Sequence, residues 1–319
     1  MHEFKLINKY FSKLSRKNKS SLNLNDDVFF DKSKNLVVSV DTYVEGIHFL
    51  NFKKPELVMK KIIRSSISDI ICKGVKPKYY FISGSGNKRS FSSTNLKKIS
   101  RCLNQEQNKY NILLCGGDTV YSSKLSFTII SIGFSKKIIF RNNAKLNDDI
   151  YVTGNLGDSF TGLNILKNKI NINKSLNEYF KKKYYLPDLH LKLTNELLKF
   201  ANTSIDISDG LIADLEKLMN KQKLSYKLYL SMIPTSKNLK KVLTQLKHDK
   251  ISYISQGDDY QILFTANSSK SRIINKTAKS LGIKISKIGK ICSNLEKSQI
   301  IDQKGNKIAA KIKGFYHKF

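Results

Sequence analysis

Short apolar runs that end on an aspartate recur along this chain, and they constrain its fold more than any other feature. Leu36-Val37-Val38 leads into Ser39-Val-Asp-Thr-Tyr-Val-Glu-Gly-Ile-His-Phe-Leu50. The β-branched run reads as a buried strand, since such residues suit a pleated, packed surface. It delivers Asp41, Glu45 and His48 together, with Gly46 allowing a tight backbone between them. Related arrangements return at Asp26-Asp27, Ser68-Asp69, Gly117-Asp118, Asp206 with Ser208-Asp209-Gly210, and Gly257-Asp258-Asp259. Ligand sites of α/β proteins gather where strands end, so titratable groups there point to chemistry.

Helical spacing fills the intervals. Phe4, Ile7, Phe11 and Leu14 mark one side of an amphipathic N-terminal helix. Pro55 opens a helix through Leu57, Val58, Ile62, Ile63 and Ile67, and Leu96, Ile99 and Leu103 mark another. Lys78–Ser83 reads as a strand followed by a Gly84-Ser-Gly86 loop. Ile112–Cys115 reads as a strand that ends in Gly116-Gly-Asp118, and Leu125–Phe134 as a long β run. Apolar periodicity lapses near Asn142–Asp149. Strands and helices alternate again from Ile150 to the C-terminus, where Gly154-Asn-Leu-Gly157 reads as a strand-to-helix turn or a weak phosphate nest. The fold class expected is α/β (α+β) in two domains, residues 1–141 and 142–319, each a sheet with helices packed on it.

The chain has 319 residues, enough for substantial cores. No apolar run approaches the ~20 residues of a membrane span. The start of the chain is too charged for a secretory signal. Cys72, Cys102, Cys115 and Cys292 are widely spaced without a CxxC pair, as in a reduced cytoplasmic protein. The net charge of +32 comes overwhelmingly from dispersed lysines, with Arg only at 16, 64, 89, 101, 141 and 272. Nucleic-acid readers favour the planar arginine fork, so a nucleic-acid partner is not expected. A positive field still attracts anionic substrates.

Aspartate gathers at motif positions although Asp and Glu total 25 against 57 Lys and Arg. Each Asp alone could cap a turn or helix, and Asp214 is best read that way. The whole set is not, because Asn and Ser are available for capping. Two carboxylates ~4 Å apart repel by about 4 kcal/mol at an effective dielectric near 20. No lysine sits inside the motifs, so hard divalent cations are the expected counter-charge, with Mg²⁺ shared with phosphates the best fit. That implies a nucleotide. No GxxxxGK[ST], kinase HRD/DFG pair, HExxH or GxSxG is present.

The ordered series of motifs resembles the thiamine-monophosphate kinase family, within the ATP-binding superfamily of aminoimidazole ribonucleotide synthetase and selenophosphate synthetase. The matching segments include Glu3-Phe4-Lys-Leu-Ile7, Asn25-Asp-Asp27, the Ser39–Leu50 stretch, Ser66-Ile-Ser-Asp69, Gly74-Val-Lys-Pro77 and Gly116-Gly-Asp-Thr119. The second half adds Tyr151–Asp158, Leu186-Pro187, Ile205–Leu215, Gly257–Phe264 and Gly314-Phe-Tyr-His317. The resemblance implies transfer of the γ-phosphoryl of ATP onto thiamine monophosphate, giving thiamine diphosphate, with several Mg²⁺ ions and no catalytic base. Asp27, Ser39, Val40 (through its carbonyl), Asp41, Asp69, Asp118, Asp206 and Asp209 match metal ligands. Tyr110, Gly117, Asp118, Arg141 and Ser208 match nucleotide contacts, although Tyr110 also reads as helix-end packing. His48, Asp258 and Phe315 match substrate contacts, and Phe315 could stack on a cationic thiazolium. The resemblance also implies a homodimer paired through N-terminal strands. Asn25, Ser66, Gln256 and Asp258 depart from the family pattern, where Gly, Asn, Gly and Glu are usual. The rival readings are another ATP-dependent enzyme of the superfamily and, from a different class, a basic nucleic-acid-binding protein.

Overall fold

The computed structural model describes residues 3–317; the side chain of Phe4 lies outside what is described. The elements in chain order are α1 Glu3–Leu6, β1 Phe29–Asp31, β2 Leu36–Val44, α2 Pro55–Cys72, β3 Pro77–Gly86, α3 Ser93–Tyr110, β4 Leu113–Tyr121 and β5 Ser126–Phe134. They continue with β6 Asp149–Thr153, α4 Asp158–Leu166, α5 Lys174–Tyr185, α6 Thr194–Phe200, β7 Thr203–Asp206, α7 Leu211–Leu218, β8 Leu224–Tyr229, α8 Lys237–Leu246, α9 Lys250–Ile254 and β9 Ile262–Ala266. The last are α10 Ser271–Leu281, β10 Ile285–Ser293, β11 Gln299–Ile301 and β12 Lys307–Ile308.

The strands make two sheets, a five-stranded one ordered β1-β2-β5-β3-β4 and a seven-stranded one ordered β12-β11-β8-β10-β6-β9-β7. In the first, only β3 and β4 pair in parallel. Period-two alternation sets its faces. Val37, Ser39 and Tyr43 of β2 and Phe127, Ile129 and Ser131 of β5 are buried, while Val40 is 60 % exposed on the other face. In the second sheet, β6, β7 and β9 are buried at every residue.

Helix α2 joins the halves. Pro55 starts it, as its fixed φ suits the first turn, and the chain turns away at Gly74. It packs on β2, β5 and α3 and also on β7 and α5. A helix with neighbours on so many sides cannot have one polar face, and α2 buries Lys61 and Arg64 along with its isoleucines. Arg64 is satisfied by a two-pronged pair with Glu106, at 2.8 and 2.9 Å.

Two local expectations fail. The Gly84–Gly86 segment is the end of β3, not a loop, because it pairs with Phe127 and Ser126. Strand β4 does not stop at Cys115; it runs through Gly116-Gly-Asp118 in register with β3. Gly117 is required there, since a Cβ would fall 1.7 Å from the Ile82 carbonyl oxygen. The expected N-terminal helix forms and widens into a π-turn over Ile7–Phe11, with Phe11 48 % and Leu14 80 % exposed.

Candidate active site

Carboxylates from both sheets meet around the C-terminal half of α2. Asp41 comes from β2, Asp69 from α2, Asp206 from the end of β7, and Asp26-Asp27 from the segment before β1. Hydroxyls orient three of them. Tyr43 Oη donates to Asp41 at 3.2 Å, Ser39 Oγ to Asp69 at 2.5 Å, and Ser68 Oγ to Asp206 at 2.8 Å. Ser39 and Ser68 are thus supports for carboxylates. Val40 turns its side chain to the opposite face and offers only backbone.

Proximity shows in the proton affinities. Burial first, with the neighbouring Asp27 charge adding to it, pushes Asp41 up to about 6. Burial and then Asp27 and Asp214 push Asp206 up to about 8. Burial and the charges of Asp41 and Asp206 raise Asp69 well above the carboxylate range. Asp27 behaves in the opposite way: burial alone would raise it, but Lys73 and Arg141 overcome that and hold it far below its ordinary value. Lys73 Nζ lies 2.7 Å from both Asp26 and Asp27, and Arg141 Nη1 2.9 Å from Asp27. The expectation that no lysine supplies counter-charge is therefore wrong. Lys73 follows Asp69 by only one helical turn, but its position in the sequence gave no hint that its side chain turns inward.

Asp209 forms a second acidic group with Asp214. Lys217 pairs with both, and Asp214 Oδ2 accepts the N–H groups of Asp209 and Gly210, both at 2.9 Å. Asp214 is a buried cap, as its sequence position implied. The Asp209 carbonyl accepts the N–H of Phe315 at 3.0 Å and so brings the C-terminal segment to the site. There Phe315 stands 5.0 Å from His317, and His317 5.3 Å from His48, ring to ring. His48 Nδ1 accepts the Val44 N–H at 3.0 Å, which leaves Nε2 as the protonated nitrogen of a neutral ring. Burial and then His317 lower its proton affinity further. His48 is a donor, not a base.

Asp258 adopts φ +62° and pairs with Lys61 at 2.6 Å, and Tyr260 Oη donates to it at 3.1 Å. Lys61, 2 % exposed, lies 4.1 Å from the centre of the Tyr184 ring. Sequence reasoning missed it, because one lysine in a lysine-rich chain carries no signal. Ser208 meets the same loop through its carbonyl, which accepts the Asp258 N–H at 2.8 Å.

Three expected residues, Tyr110, Gly117 and Asp118, do not join this cluster within the chain. Tyr110 is 4 % exposed, with the Arg64 guanidinium 5.7 Å from its ring centre; helix-end packing is the reading the geometry favours. Asp41, Ile129, Ile82 and Gly117 form one row across the first sheet, which spans three inter-strand gaps, about 14 Å. The next row, Thr42, Thr128, Ser83 and Asp118, points to the uncovered face. Asp118 is thus separated from Asp41 by the sheet itself. The Gly154–Gly157 loop is no phosphate nest either. Its Gly154, Leu156 and Gly157 N–H groups bond to Lys284, Pro234 and Asp259.

Two of the departures from the family pattern are compensated locally. Asn25 exchanges two hydrogen bonds of 3.1 Å with Asn220, and buried Ser66 pairs with Ser131 at 2.8 Å. Among the described residues, no three His, Cys, Asp or Glu side chains close on one point as a preformed metal cage. Magnesium does not demand one, since it commonly takes one or two carboxylates plus water and phosphate.

An oxygen-only acidic centre between two α/β sheets defines a class, and residues 25–135 match the family of AIR synthase related proteins, N-terminal domain. The thiamine-monophosphate kinase of Buchnera aphidicola subsp. Schizaphis graminum is 35 % identical, covering 99 % of this chain and 98 % of the relative. That of Haemophilus influenzae is 30 % identical over 91 % and 89 %. A solved structure described as AaThiL complexed with AMPPCP and TMP superimposes with a TM-score of 0.85 at 25 % identity, covering 99 % of this chain and 97 % of that one. The chain belongs to the thiamine-monophosphate kinase family.

Proposed function

We propose that this chain is an ATP-dependent kinase that phosphorylates thiamine monophosphate to thiamine diphosphate, releasing ADP. Family membership over nearly the whole length carries the reading. The site supports it physically. The acceptor is a phosphate oxygen that is already anionic, so a general base is not needed, and the difficulty is to bring two anions together. Asp41, Asp69 and Asp206 present carboxylate oxygens without histidine or cysteine, a donor set suited to Mg²⁺. When bound, Mg²⁺ would screen the phosphates and the charge that develops on transfer. Ser39, Tyr43 and Ser68 fix the carboxylates that would hold it.

We assign His48, Asp258 and Phe315 to the thiamine substrate. His48 offers its Nε2–H, Phe315 an aromatic face 44 % exposed for the cationic thiazolium, and Asp258 a carboxylate braced by Lys61. Arg141, Ser208, Gly117 and Asp118 are assigned to the nucleotide, with Asp209 at the metal. Asp118 reaches the other carboxylates only from a second protomer, so the proposal includes a homodimer. The exposed apolar groups Val40, Leu113, Leu114, Val120 and Phe134 of the first sheet support it. On this reading residues 1–141 bind nucleotide and metal, residues 142–319 form the second domain, and the enzyme works in the cytoplasm.

The test is direct. Incubation with ATP, Mg²⁺ and thiamine monophosphate is expected to yield thiamine diphosphate and ADP in equal amounts. Folded protein that makes neither would overturn the reading.

A further inference from the structure

Asp27 has a cation on each oxygen. Arg141 Nη1 stands 2.9 Å from Oδ1, and Lys73 Nζ 2.7 Å from Oδ2. The same Nζ is 2.7 Å from Oδ1 of Asp26 and 3.0 Å from the Ser204 carbonyl oxygen. Three oxygens thus enclose an ammonium group whose side chain is wholly buried. Lysine is almost never found so deep unless it is paired.

The backbone holds Lys73 in this position. It is the first residue after α2, and its carbonyl accepts the Ile139 N–H at 3.1 Å. Gly74 turns the chain at φ +78°, where a Cβ would fall 2.7 Å from Leu198 Cγ. The Lys73 head has no open solvent to retreat into. A divalent ion approaching Asp27 would meet two positive charges already in place, Lys73 and Arg141. Asp41, Asp69 and Asp206 differ, for their described hydrogen bonds come from hydroxyls or from one another.

We propose that Lys73 is a resident cation of the acidic centre. It takes the place between Asp26 and Asp27 that a divalent ion would otherwise fill, and exchangeable metal is kept off this pair. This rests on the metal-assisted reading above and corrects one of its parts, since Asp27 becomes a positioning residue for Lys73 and Arg141.

Metal counting tests it without nucleotide or turnover. Mn²⁺ bound per protomer is measured by electron paramagnetic resonance, alongside the thermal midpoint in EDTA and in Mn²⁺. Lys73→Met is expected to bind one more Mn²⁺ than wild type. Its midpoint should fall by roughly 10 °C in EDTA, the scale of an unpaired buried charge, and recover in Mn²⁺. Lys73→Met with Asp26→Asn should return to the wild-type count and lose most of that metal dependence. An unchanged count and unchanged metal response in Lys73→Met would overturn the proposal. Should Lys73→Met not fold even in Mn²⁺, the double variant decides. Its folding with the wild-type count supports the counter-ion role, and its failure to fold assigns Lys73 to packing and overturns it. Wild-type protein that binds no Mn²⁺ removes the metal reading itself, and this inference with it.

Discussion

Asp26 and Asp27 meet cations supplied by the chain, Lys73 and Arg141, whereas Asp41, Asp69 and Asp206 meet hydroxyls and one another. Both groups lie beside α2 and differ in the partners the fold supplies. Paired carboxylates bind protons weakly and hold the fold together. Those without a cationic partner bind protons strongly, which relieves their mutual repulsion. One acidic centre therefore contains a half neutralised by the chain's own cations and, on the function proposed above, a half that awaits an external one.

The sharpest way to break this comparison is to remove one charge from each half. Asp41→Asn is expected to lower turnover by roughly two to three orders of magnitude, the scale of losing one electrostatic stabiliser. Metal-free stability should hold or rise. A rate near wild type would make Asp41 a turn residue. Asp27→Asn should instead cost about 3 kcal/mol of stability, because it leaves buried cations short of a partner. Denaturant titration checks this, and a loss no larger than that of Asp41→Asn would erase the distinction.

The pH dependence of the metal-free protein separates the halves more gently. An unfolded aspartate loses its proton near pH 3.9, whereas Asp41 keeps its own to about 6 and Asp206 to about 8. Between those limits the folded state binds more protons, so these groups make stability fall as pH rises from about 4 to about 8. Asp27, held low, contributes stability above pH 3.9 that is lost on acidification. Thermal midpoints across that range, with and without Mg²⁺, should show the upper decline only without metal. The smallest effect belongs to a solvated pair. Glu196 and Lys199 meet at 2.6 Å with side chains 30 % and 55 % exposed, so Glu196→Gln should change stability by at most about 0.5 kcal/mol.

Much of this was legible beforehand because the signal is local. The run before Asp41 is β2, the helix begun at Pro55 is α2, and Asp214 caps where its spacing placed it. What the sequence did not show was decided by distant partners. Strand β4 continues through two glycines because β3 offers it a hydrogen-bonding edge, and a glycine pair in isolation reads as a turn. Tyr110 lies eight residues before Asp118 in sequence, yet Arg64 draws it into the core. Asp118 follows an apolar run just as Asp41 does, but pleat and register put it on the other face of the sheet.

The sequence by itself determined the alternation of strands and helices, the aspartates at their ends, and the family in which that order occurs. Hydrophobic period and short motifs act between near neighbours, so they survive in a linear reading. Only the tertiary structure decided which lysines matter. Lys61, Lys73 and Lys217 cannot be distinguished in a chain with 57 lysines and arginines. Their roles depend on burial and on carboxylates contributed by distant or separate elements. Coulomb energy is set by distance and dielectric, and neither exists until the chain has folded.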